Sequence, residues 1–186
     1  MNKVLGSEFF DRPALTVAKE LLGKYLVRKV GRKEIALMIT EVEAYDGPKD
    51  QANHAHRGQT PRNTPMFDTA GTIYVYFTYG IHWMLNVVCG KKGYPAAILI
   101  RGAGDVVGPA RLTKALSIDK SLNHKVLGEK AGLWIEDRGV KISPRQIART
   151  PRIGIGYAGE YALKPWRFVI KSEVNGTVRR AQKPRG

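Results

Sequence analysis

Two carboxylates one residue apart, Glu41 and Glu43, are the first groups in this chain that could move a proton. They fall in a run, 34–45, that reads as a strand ending at Tyr45. Side chains alternate across a strand, so Glu41, Glu43 and Tyr45 should share one face. Such a pair could serve as general acid and base, or one acid could activate water beside a structural partner. A solvated strand end explains the same pattern, and spacing alone favours that plainer reading.

Other residues invite a chemical reading. His54 and His56 sit in a polar loop, with Cys89 far away in sequence. Zinc takes three or four ligands, and no third ligand stands at a convincing spacing. A histidine that hydrogen-bonds or stacks is therefore expected in preference to a metal site. Tyr74, Tyr76 and Tyr79 cluster on one run, which core packing would explain. Tyr79, however, adjoins Gly80 at the tip of an expected hairpin, where core residues seldom sit. An exposed aromatic there could wedge between stacked bases, with Tyr45 and Tyr76 enclosing a base drawn out of the stack. Asn86 and Arg101 interrupt apolar strands, where a polar side chain must find partners or cost stability. A satisfied structural hydrogen bond explains each equally well.

The elements that would position these groups can be read from the pattern. Asp11 can cap a first helix, with Pro13 in its first turn, Leu15, Ala18 and Leu22 on one stripe, and Gly23 at its end. Strands follow at 24–30 and 34–45. The segment 46–69 lacks periodicity, and so long a loop in a compact domain is usually functional. Runs at 72–79, 83–88 and 96–101 read as strands, the first two joined by a turn at Gly80. Gly108-Pro109 opens a helix that buries Leu112, Ala115 and Leu116, and 133–136 and 167–170 are late strands. The sum is a mixed α/β fold: one compact domain with a curved, mostly antiparallel sheet, flanking helices and a protruding β-hairpin. The last stretch, 179–186, is expected to be a frayed basic tail.

Charge narrows the partners. The 186 residues carry 31 Lys and Arg against 16 Asp and Glu, a formal net charge of +15. A basic surface attracts polyanions by releasing counterions from phosphates. No helix pairs an aromatic-rich apolar face with a lysine-rich polar one, so nucleic acid is expected before membrane. The single cysteine and the lack of a leader-like start point to a reducing, cytoplasmic setting: nucleoid-associated in a prokaryote, nuclear in a eukaryote.

The motifs, taken in order, resemble one family. Glu43-Ala44-Tyr45-Asp46-Gly47-Pro48, His54, Thr60-Pro61-Arg62-Asn63, Met66-Phe67, Tyr74-Val75-Tyr76, Tyr79-Gly80 and Asn86 are similar to the alkyladenine (3-methyladenine) DNA glycosylases. The likeness continues through Arg101, Gly108-Pro109, Lys120-Ser121, Pro151-Arg152-Ile153-Gly154 and Lys164-Pro165. It implies a single glycosylase domain over 1–178 that flips alkylated or deaminated purines out of duplex DNA. The N-glycosidic bond would then be hydrolysed to leave an abasic site. By the same resemblance, Glu43 activates the attacking water and Arg101 helps hold it. Tyr45, His54 and Tyr76 wall the base pocket, Tyr79 intercalates, and Asn86 crowds the exocyclic amine of guanine. Glu41, outside the matched triplet, keeps its plain reading as a solvated strand end. The family uses no metal or organic cofactor, and the expected partner is double-stranded DNA with damaged purines, met by a monomer.

Three departures bear on which lesions fit: a shorter loop between His54 and Thr60, and Ile81 and Ala97 at positions expected beside the pocket. A binder without turnover and an RNA-directed hydrolase are the competing readings. The retained Glu43 argues against the first, while stacking and flipping serve either polymer in the second.

Overall fold

A computed structural model describes residues 2–171; the basic tail expected over 179–186 lies outside the described residues. The framework is a ten-stranded sheet in which every strand pair is antiparallel. Its strands are β1 (Lys3–Val4), β2 (Tyr25–Val30), β3 (Lys33–Asp46), β4 (Ile73–Thr78) and β5 (His82–Val88). They continue with β6 (Ala96–Ala103), β7 (Val106–Val107), β8 (Leu133–Asp137), β9 (Ile147–Thr150) and β10 (Arg167–Ile170). The main order is β1-β8-β2-β3-β6-β5-β4, with β10 joining β3 to β9 and β7 paired to β6.

The 14-residue strand β3 organises the sheet. Its first half pairs with β2, and its second half with both β6 and β10. The β3–β6 register slips on either side of Glu41: Ile39 faces Ala103, Glu41 faces Gly102, and Val42 faces Ile100. Thr40 and Arg101 are thereby left as unpaired extra residues. Bulges of this kind bend a strand and re-aim side chains, and they recur beside active sites. Gly102 belongs to the same distortion, because a Cβ there would stand 3.2 Å from Thr40 Oγ1 and 3.3 Å from Glu41 Cβ.

Period-two alternation in the central strands sends side chains to two destinations. Val42 and Ala44 of β3, Ile73 and Val75 of β4, Leu85 and Val87 of β5, and Ile98 and Ile100 of β6 enter the main core. Helix α2 (Ala14–Leu21) packs on β3 and β6, and α3 (Pro109–Ala115) on β5 and β6. Fully burying one such aliphatic side chain is worth about 1.5–3 kcal/mol, so this face carries much of the fold's stability. The residues between them, including Glu43, Tyr45, Tyr74, Tyr76, Asn86, Ala97, Leu99 and Arg101, point to the opposite face.

One helix boundary differs from expectation. Asp11 does not cap α2. A one-turn helix, α1 (Ser7–Phe10), precedes it, and the Asp11 N–H closes that turn by donating to Ser7 O at 2.8 Å. Pro13 then takes the capping position with no side-chain cap. Phe10 explains the extra turn: it is fully buried in the core, so the chain must curl before α2 begins.

Candidate active site

Glu43 occupies the second half of β3, paired across the sheet with Leu99 of β6 and Arg167 of β10. It is 0% exposed. Its Oε2 accepts a hydrogen bond from the Tyr45 hydroxyl at 2.9 Å, and its Oε1 accepts one from the Ile153 N–H at 2.8 Å. Arg101 Nε stands 3.4 Å from Oε1. Burial dominates these influences and pushes the carboxyl's pKa above its ordinary value. Arg101, the Ile153 amide, the Tyr45 hydroxyl and Arg152 oppose that rise without cancelling it. The result is a carboxylate of fixed orientation and increased basicity, the property required of a general base near neutral pH.

Glu41 is not the solvated strand end expected from its sequence position. It is 6% exposed, and its Oε1 accepts from both Arg101 Nε and Arg167 Nε at 2.7 Å. The bulge supplies Arg101 and the β10 pairing supplies Arg167, so burial of this acid depends on two partners distant in sequence. Arg167 Nη1 also donates to Thr150 Oγ1 at 3.0 Å, which ties the cluster to β9.

In front of Glu43 lies a pocket of about 230 Å³, whose lining includes Tyr45, His54, Tyr74, Tyr76, Asn86 and Arg101. Drug-sized ligands occupy pockets of about 300–1,000 Å³, so this one suits a single ring system. Glu43 does not line it. Its partners Tyr45, Arg101 and Ile153 do, and they form the wall behind which the carboxylate is held. The His54 ring meets the Tyr76 ring edge-on, with centroids 4.5 Å apart, and Tyr76 lies 5.3 Å from Tyr74. His54 Nδ1 is 3.0 Å from the Tyr74 hydroxyl. Desolvation by its neighbours and the nearby Arg62 guanidinium hold the His54 pKa below the ordinary histidine value, so the ring is neutral at neutral pH. Burial and neighbouring charges push the Tyr76 phenol up to about 12, and those of Tyr45 and Tyr74 also rise. The aromatic part of the lining is thus uncharged and suited to stacking on a flat heterocycle.

The rim is built differently. Thr78 pairs with His82, which leaves Tyr79-Gly80-Ile81 as the β4–β5 turn. Tyr79 is 82% exposed and adopts φ 52, a left-handed conformation uncommon outside glycine. Ile81, expected beside the pocket, is instead 67% exposed on this turn. Ala97, by contrast, is buried in the pocket lining.

The long loop after β3 is held by side chains that satisfy its backbone. Asn53 Nδ2 donates to Gly47 O at 3.1 Å and Pro95 O at 2.8 Å, and Asn63 Nδ2 donates to His54 O at 2.9 Å. His56 diverges from His54 in its partner, with its Nδ1 2.7 Å from Pro48 O, although both residues are exposed. Among the described residues, no group of three or more His, Cys, Asp or Glu is arranged to hold a metal ion, and no helix is long and apolar enough to cross a membrane.

Comparisons with known proteins identify the family. The methylpurine-DNA glycosylase family profile matches residues 8–107 and 103–174. The chain belongs to this family. A Methanocella arvoryzae protein provisionally named 3-methyladenine DNA glycosylase is 43% identical, covering 91% of this chain and 93% of its own. The DNA-3-methyladenine glycosylase of Mus musculus is 37% identical over 90% of this chain and 59% of its own. That of Homo sapiens is 36% identical over 90% of this chain and 65% of its own. Membership makes the chain a DNA glycosylase, an enzyme of base-excision repair.

For this methylpurine-DNA glycosylase family member, the fold gathers Glu43, Arg101, Tyr45, His54, Tyr76 and Asn86 around one pocket, with Tyr79 at its edge. Several supporting residues had no assigned part. Tyr74 adds a fourth ring, and the Ile153 N–H fixes Glu43. Arg152 is clamped by Asp50, with Nη1–Oδ2 at 2.6 Å and Nη2–Oδ1 at 2.8 Å, and neither side chain is exposed. Its guanidinium lies between the Tyr45 and Trp166 rings, 4.6 and 5.0 Å from their centroids. The only advance sign was the Pro151-Arg152-Ile153-Gly154 motif, whose function cannot be read without the contact to Asp50.

Proposed function

We propose that this enzyme draws an alkylated or deaminated purine out of duplex DNA into the aromatic pocket and hydrolyses its N-glycosidic bond with water activated by Glu43. One observation carries this reading: the buried carboxylate is hydrogen-bonded to Tyr45, itself a wall of the pocket, so base recognition and water activation share one rigid unit. Tyr45, Arg101 and Ile153 separate Glu43 from the pocket, so the water it activates is admitted when this wall yields to the bound nucleotide. The carboxylate accepts its proton while offsetting the positive charge that grows on the sugar. Arg101 holds the water and orients the carboxylate.

The walls support selection. A purine carrying N-alkylation bears positive charge, leaves readily and is attracted to aromatic faces. Neutral His54 adds no competing cation. Hypoxanthine and ethenoadenine, being neutral, depend more on protonation of the departing base. Asn86 Nδ2 donates to Tyr74 O at 3.1 Å, which fixes the amide against the wall and narrows the space available to guanine's exocyclic amine. Tyr79 fills the stack that the purine vacates.

The basic excess gives the approach. Among the described residues Glu41, Glu43, Asp50 and Glu136 are buried, whereas Arg152 is the only buried cation. Acids are therefore withdrawn from the surface and the exposed face is more cationic than the composition indicates. The direct test is single-turnover release of free base from duplexes containing 3-methyladenine, hypoxanthine or ethenoadenine, with a single-stranded RNA of matched sequence alongside. Release from the duplexes supports the reading; release from RNA alone would replace it with the RNA-directed one.

A further inference from the structure

We propose that Glu41 is a positioning residue that sets the basicity of Glu43 by competing for Arg101. The two acids stand on the same face of β3, and both lie near Arg101 Nε. The contact to Glu41 Oε1 is 2.7 Å, while that to Glu43 Oε1 is 3.4 Å. Arg101 therefore forms its hydrogen bond with Glu41 and offers Glu43 only a longer electrostatic contact. A carboxylate bonded squarely to Arg101 would be a weaker base, because a close cation favours its ionised form.

The groups facing Glu43 can be counted element by element. From its own strand come Glu41 and the Tyr45 hydroxyl. Arg101 comes from β6, Arg167 from its cross-strand position on β10, and the Tyr76 phenol from β4. Arg152 approaches from the segment after β9, but its charge is balanced by the two-point clamp of Asp50. Arg167 directs its Nε to Glu41 at 2.7 Å although its register partner is Glu43. Two arginines thus converge on the one oxygen of Glu41. That oxygen serves as a sink for positive charge beside Glu43, and burial then raises the Glu43 pKa with incomplete opposition.

The inference rests on Glu43 as the water-activating base, yet its electrostatic part can be measured without turnover. The carboxyl carbon of Glu43 would be titrated by 13C NMR in glutamate-labelled protein, with E43Q assigning the resonance. Single-turnover pH–rate profiles would be collected on the same samples. In E41Q the neutral amide releases Arg101 toward Glu43, and an anion is removed. The Glu43 titration should move down by about one pH unit. The ascending limb of the rate profile should follow it, and the plateau should fall as the base weakens. In R167Q the opposite holds: Glu41 loses one cation, grips Arg101 more firmly, and the Glu43 titration should move up. R167K, which keeps the charge, should return it toward wild type.

Both neutralising variants break a buried ion pair and should lower Tm, so a purely structural role predicts two losses of stability with no change in the titration. Unchanged titrations, or shifts of the same sign in E41Q and R167Q, would overturn the inference. If E41Q does not fold, the R167Q shift and its reversal in R167K decide alone. Opposite shifts in the NMR titration with a stationary rate profile would uphold Glu41's part and count against Glu43 as the base.

Discussion

The site joins two regions built on opposite principles. Around Glu43, groups that are expensive to bury are wholly or largely buried, and each is held by partners. At the β4–β5 turn, groups that would ordinarily be buried stand in solvent: Tyr79 and Ile81 are 82% and 67% exposed. The first region fixes a carboxylate in one orientation in the free protein, the preorganisation that the proposed water activation would use. The second leaves apolar surface without a partner in the free protein, and the proposed function would cover it with the interior of a nucleic-acid stack. Under the proposed function the enzyme needs both, the buried acid for hydrolysis and the exposed tip for extrusion, and the two meet at one pocket.

If the interior depends on paired burial, removing one partner should be the most damaging change. Asp50→Asn should destabilise the fold by about 3–5 kcal/mol, because the Arg152 charge would stay buried without its counterion. Urea denaturation would measure it, and a cost within the range of surface mutations would show that the interior is less constrained than its contacts imply. At the tip the reverse balance is expected. Tyr79→Ala should leave Tm almost unchanged, since few contacts are lost. It should nevertheless weaken extrusion by about one to two orders of magnitude, given a stacking worth of about 1–3 kcal/mol. Excision of well-paired lesions should suffer most and of mismatched lesions least, as followed by single-turnover rates. A large fall in Tm would move Tyr79 into the structural class and erase the contrast.

Smaller effects sharpen the boundary between the regions. Asn86→Ser should raise guanine release relative to hypoxanthine release, because bulk is removed beside the purine edge; a constant ratio would leave Asn86 a purely structural residue. The interior also stores a cost of function. The folded Glu43 binds its proton more tightly than the unfolded chain does, so the folded state loses stability as pH rises from the ordinary value of 4.5 through the raised folded one. Above that window the penalty is complete. Glu43→Gln should consequently melt higher than wild type at pH 8, with the difference vanishing near pH 4, as calorimetry at the two pH values would show.

Much of this was legible in the sequence, for identifiable reasons. The β-type runs at 72–79, 83–88 and 96–101 located the central strands, whose two-residue period divides core from pocket. Glu43 and Tyr45 on one strand face followed from the two-residue period. Tyr79 beside Gly80 announced a tip. Contacts made at long range were not legible. Glu41 reads as solvated in the sequence because nothing local shows that Arg167, 126 residues away, covers it. The pairing of Arg152 with Asp50 spans 102 residues. The slip that makes Arg101 an extra residue depends on the β3–β6 register, which no single strand contains. Strands β1 and β7, of two residues each, are too short to carry a period, and the turn of α1 was hidden because Asp11 resembled a cap.

The central claim, that Glu43 activates water while the pocket receives the base, is tested most directly by Glu43→Gln under single turnover. Free-base release from a hypoxanthine-containing duplex would be measured beside equilibrium binding to the same DNA. The amide keeps the shape of the carboxylate and cannot take a proton from water. Binding should therefore stay near wild type while base release falls to background. Release within about tenfold of wild type, a barrier change of only about 1.4 kcal/mol, would contradict the account and place the base elsewhere.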